Sequence, residues 1–106
     1  MISQRAKARL SKMRDLNLPE IETQLKNLKG TNVQWDVLIE FDKLAKNYES
    51  DIKEDEYEFE NLNLEEEDEF TIEFIEIIEE RKEILSRLRA ILKNSENAEG
   101  SSSKLS

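Results

Sequence analysis

Seven side chains, Phe70, Phe74, Ile77, Arg81, Ile84, Leu88 and Ile91, recur at alternating spacings of four and three residues over three heptads. At 3.6 residues per turn this spacing gathers them on one edge of an α-helix, whereas a strand would distribute them over both faces. The pattern is that of a coiled-coil seam. Ile75, Ile78, Leu85 and Leu92 flank it, making the apolar face wide enough to touch two neighbouring helices. A helix over 64–93 is about 45 Å long at ~1.5 Å per residue. The other helices expected are shorter, which predicts that part of this face lacks cover from its own chain.

Gly and Pro supply only three of the 106 residues, and where they fall divides the sequence. Ala6, Leu10 and Met13 lie on one helical stripe, predicting a helix over 3–17. Asn17-Leu18-Pro19 reads as a short break, because the residue before proline is pushed away from the α region and proline is tolerated in a first helical turn. Ile21, Leu25 and Leu28 resume the stripe over 19–29, and Gly30 is placed to end it in the left-handed conformation. Thr31-Asn32-Val33-Gln34 has the form of a capping box, Thr31 accepting from the Gln34 amide while Gln34 reaches back. It opens a helix over 32–49, with Val37, Phe41, Leu44 and Tyr48 on its stripe and Leu38, Ala45 and Ile52 widening it. Residues 50–63 form an acidic connection. Tyr57-Glu58-Phe59 alternates like a strand, while Ile52, Phe59 and Leu62 share a helical face, so loop and helix extension both stay open there. Asn63 is a candidate cap for the last helix.

The fold class expected is all-α: an antiparallel helical hairpin or three-helix bundle with coiled-coil character over 1–94. A tail rich in Ser, Asn and Glu over 95–106 follows, with the composition of a disordered segment.

The net charge is −9, unevenly spread: residues 51 to 80 hold fifteen acids against one base, Lys53. Glu54, Asp55, Glu56, Glu58, Glu60, Glu65, Glu66, Glu67, Asp68 and Glu69 make up the densest acidic patch. It reads either as a solvated helix face or as a dock for a basic protein. The first thirty residues go the other way, with Arg5, Lys7, Arg9, Lys12 and Arg14 flanking the apolar stripe. Such a helix packs against its own acidic region or reaches an anionic surface. Arg81 interrupts the seam, where it either fixes register or chooses a partner, or lays its stem over apolar surface while its head reaches water or neighbours such as Glu80. Trp35, the single tryptophan, is a candidate anchor for a partner or a plug for the end of the bundle.

With neither His nor Cys in the chain, the usual zinc sites and the Cys- or His-based nucleophile systems have no residues to build them. No glycine-rich phosphate loop is present. Catalysis, cofactor and metal are therefore not expected, and the acidic balance disfavours direct contact with nucleic acid. No apolar run reaches the ~20 residues that span a bilayer, and the lack of cysteine fits a reducing compartment, cytoplasmic or nuclear. The expectation is a non-catalytic structural or adaptor subunit of an intracellular assembly. It would bind a protein partner, as hetero-oligomer or homodimer, through the seam from Phe70 to Ile91. The alternative is an acidic inhibitor or chaperone seated on the basic surface of a nucleic-acid-binding protein.

Overall fold

The computed structural model describes the backbone of residues 2–62 and 69–105 and the side chains of residues 4–62 and 69–95. It is all-α, with four helices: α1 (Ile2–Arg14), α2 (Leu18–Asn27), α3 (Asn32–Asn61) and α4 (Glu69–Leu105).

α1 stops three residues earlier than the stripe predicts, for a local reason. Continuing it through Pro19 would drive the proline ring into the Asp15 carbonyl and lose a hydrogen bond. Asn17 instead leaves the helical region (φ −94°, ψ 87°) and caps α2, its side-chain oxygen accepting from the Glu20 amide at 3.1 Å. Pro19 falls in the first turn of α2, where its missing N–H leaves nothing unpaired. Gly30, at φ +82°, makes the left-handed turn between α2 and α3.

Half of the predicted capping box forms. Thr31 Oγ1 accepts from the Gln34 amide at 3.2 Å, but the Gln34 side chain does not return to the cap. It is buried, and its Nε2 donates to the Leu25 carbonyl at 3.0 Å. Leu25 lies in the last turn of α2, where carbonyls have no intrahelical partner, so Gln34 ties the end of one helix to the start of the next.

α3 does not end near residue 49; it runs on to Asn61, so the acidic stretch up to that point is helix and not a connection. Ile52 and Asp55 are buried and Phe59 packs on the core, at spacings of three and four that continue the inward face. The deepest positions on α3 are Gln34, Leu38, Ala45, Ile52 and Asp55, with Val37, Phe41 and Tyr48 packed beside them. Asn63 and the residues to Asp68 lie outside the described residues. α4 begins at Glu69 and its backbone stays helical to Leu105, past the Asn94 boundary; the tail expected over 95–106 falls, Ser95 apart, beyond the described side chains.

Ion pairs report how the helices align. α3 and α4 are antiparallel: Glu56 meets Lys82 at 2.9 Å and Glu49 meets Arg89, one step forward on α3 matching one step back on α4. α1 and α4 are parallel, Lys7 meeting Glu73 and Arg14 meeting Glu80. α1 and α2 lie in succession along α4, so the bundle rises, returns and rises again within 55 × 25 × 18 Å.

This arrangement covers most of the seam and leaves part of its flank open. Phe74, Ile77, Arg81 and Leu88 are buried, Phe70, Ile84 and Ile91 are half-buried, and of the flanking residues Ile78, Leu85 and Leu92 are buried while Ile75 is exposed. Neither α1 nor α2 is long enough to cover α4 alone. Joined through the Asn17 break they cover one side of it in succession, while α3 covers the other. Of the residues predicted to meet a partner, Phe74, Ile77, Arg81 and Leu88 lie in the interior of the chain.

Candidate functional site

A polar cluster is buried within the apolar core. Asp55, fully buried, accepts four hydrogen bonds from three arginines on two other helices. Arg5 gives Nε at 2.8 Å and Nη2 at 2.6 Å to Oδ1, Arg9 gives Nη1 at 2.8 Å to the same oxygen, and Arg81 gives Nη1 at 2.6 Å to Oδ2. Arg81 is as buried as Asp55. Around this centre Arg5 reaches Glu58 at 2.9 Å and Arg9 reaches Glu54 at 2.9 Å, so three cations are matched by carboxylates on successive turns of α3. Burial alone would raise the Asp55 carboxyl, but the hydrogen bonds from Arg81, Arg5 and Arg9 outweigh it and hold the group below the usual carboxylate range. Arg81 Nε and Nη2 have no protein partner, so the single bond to Asp55 is what compensates that buried charge.

The cluster shows how the predicted acidic patch is used. Asp55, Glu54 and Glu58 face the arginines of α1, and Glu56 pairs with Lys82 of α4. Only Glu60 and Glu69, of the described members, stand exposed without such a pair; Glu65, Glu66, Glu67 and Asp68 lie outside the described residues. The basic first helix packs on the chain's own acids, and Arg81 points inward to a carboxylate instead of outward to water. Sequence reasoning placed Asp55 on the surface. The signal that finds it is the spacing Ile52-Asp55-Phe59, which puts Asp55 on the inward face, taken with an arginine at a core position that demands a buried anion.

Outer pairs between helices are exposed. Arg14 and Glu80 form a two-pronged contact, Nη2 at 2.7 Å, which raises the arginine and lowers the carboxyl. Glu49 is lowered by Lys53 and then by Arg89.

The surface retains large apolar side chains that the core does not absorb. Trp35 is 50% exposed and Ile39, one turn further on, 40%. With Leu38, Asp42 and Leu92 they line a cavity of about 260 Å³ where the start of α3 meets the far part of α4. Trp35 therefore only half closes that end. Towards the opposite end, Ile72 (50%) and Ile75 (45%) are exposed on α4. Among the described residues no group of three or more His, Cys, Asp or Glu is placed to hold a metal ion, and no helix is long and apolar enough to cross a membrane. Asp55 Oδ1 takes three of the four hydrogen bonds and Oδ2 the fourth, so the buried carboxylate is committed to the three arginines. No protein-family model, curated protein or solved structure matches the chain.

Proposed function

We propose that this chain is a non-catalytic structural or adaptor subunit of an intracellular multiprotein assembly, and that it meets its partners with the outer face of α3 and α4 rather than with the seam. The observation that carries this reading is the set of apolar side chains left half-exposed on that pair of helices, Trp35 with Ile39 and Ile72 with Ile75, although the core is already filled. Burying the exposed half of one such side chain in an interface contributes roughly 1 kcal/mol, and tryptophan is enriched among residues that dominate binding. The internal pairing of Glu54, Asp55, Glu56 and Glu58 weighs against the acidic-decoy alternative, since those charges already have cationic neighbours.

The test is the native mass of the tagged chain at its own cellular abundance. The expected result is a species well above 12.5 kDa that shrinks when Trp35→Lys and Ile39→Lys are combined, with the helical circular dichroism unchanged. A chain recovered as a 12.5 kDa monomer overturns the reading.

A further inference from the structure

Between the last turns of α3 and the first turns of α4, Phe59, Phe74, Ile75 and Ile78 floor a groove of about 210 Å³ edged by Glu56, Glu60, Glu79 and Lys82. Its floor is firm. The Phe59 and Phe74 rings stack nearly parallel, 7° apart with centroids at 4.3 Å, and Phe74 and Ile78 are buried while Ile75 is 45% exposed above them. Its edge carries net negative charge: Glu56 holds Lys82 at 2.9 Å, which leaves Glu60 and Glu79, both exposed, facing solvent. The cavity beside Trp35 has no such bias, because its one acid, Asp42, is paired with Lys46 at 3.1 Å.

We propose that this groove receives one helix of a partner protein, laid with its apolar stripe over Ile75 and with lysine or arginine flanking that stripe. The inference rests on the adaptor reading and names where and with what chemistry the partner docks. The chain contains an example of the arrangement. α1 presents Ala6, Leu10 and Met13 to the core while Arg5, Arg9, Lys7 and Arg14 clasp carboxylates of α3 and α4 on either side. The groove offers the same pairing, an apolar strip between acids, on a part of α3 and α4 that α1 leaves open.

The experiment uses the full chain, labelled with ¹⁵N, and a fluorescent synthetic helix of leucine and lysine in an amphipathic pattern, against a counterpart with glutamate in place of lysine. The lysine peptide is expected to bind and to shift the amides of Phe59, Ile75 and Ile78. Its affinity should fall about tenfold or more in Ile75→Glu and weaken steeply as ionic strength rises, the Debye length shrinking to a few ångströms near about 1 M salt. Glu60→Lys with Glu79→Lys should turn the preference toward the glutamate peptide. Equal binding of the two peptides, binding of neither, or shifts confined to the Trp35 end overturns the groove. So does self-association that Ile75→Glu abolishes, which makes a second copy the occupant. A cellular assembly untouched by Ile75→Glu and by the charge reversal overturns the groove and leaves the adaptor reading standing, whereas a monomer in cells removes the adaptor reading itself.

Discussion

The two short helices that line α4 are held by different physics. α1 buries three apolar side chains, one of them only an alanine, and is fastened by Arg5 and Arg9 to the Asp55 carboxylate. α2 buries Ile21 and Leu25, is joined by the half-buried Leu16 and Leu18, and is tied to α3 by one neutral hydrogen bond from Gln34. Contact through apolar area is indifferent to pH and ionic strength, while contact through a buried carboxylate is not. The contrast teaches that the position of a charge decides its weight. Asp55 resembles its acidic neighbours in composition alone; the protein excludes water from it and leaves it to three guanidiniums.

The sharpest way to break the α1 side is Asp55→Asn, which keeps the shape and removes the charge. Arg81 is then left buried with its cation uncompensated, and the expected loss is about 3–5 kcal/mol in urea unfolding. Acidity probes the same group. Its folded pKa is depressed below the unfolded value of about 3.9, so its contribution is complete above the unfolded value and disappears as pH falls through the folded one. The stability curves of the wild-type chain and Asp55→Asn should converge on the acid side; curves that stay parallel would show that the carboxylate is not the fastening. On the α2 side, Leu25→Ala should cost about 3 kcal/mol, and that loss should be the same at every pH and salt concentration at which the chain stays folded. A salt-dependent Leu25→Ala effect would erase the distinction. Gln34→Leu, which removes the donor to the Leu25 carbonyl, should cost about 1 kcal/mol and leave the acid response intact. Smallest of all, Arg14→Gln removes an exposed pair and should leave the urea midpoint nearly where it was, with any difference vanishing in high salt; a large shift would put a rim pair on a par with the buried cluster.

Much of the fold was legible because it follows from local rules. The break at Asn17 and Pro19, the turn at Gly30, the Thr31 cap and the apolar edges of all four helices depend on residues close in the chain. What failed depended on residues far apart. How much of the seam from Phe70 to Ile91 its own chain covers was not legible, because each short helix was measured separately, and nothing in the periodicity says that α1 and α2 lie in succession along it. Arg81 was recognised as a register-fixing candidate, but its partner lies 26 residues away among acids that look alike. In this alignment Arg81 meets Asp55, whereas sliding α4 by one heptad would set it opposite Tyr48 or Leu62. Trp35 was placed correctly at an end of the bundle, and its half exposure is a property of the packing that no local pattern carries.

The distances along the chain from Asp55 to its arginines also bear on the order of assembly. Arg81 lies 26 residues from it and Arg5 lies 50, a difference that adds about 0.6 kcal/mol to the entropy of closing the longer loop. By loop closure alone the hairpin of α3 and α4 is favoured as the earlier contact by only about threefold. Replacing Arg5 should then quicken unfolding and leave the refolding rate nearly unchanged.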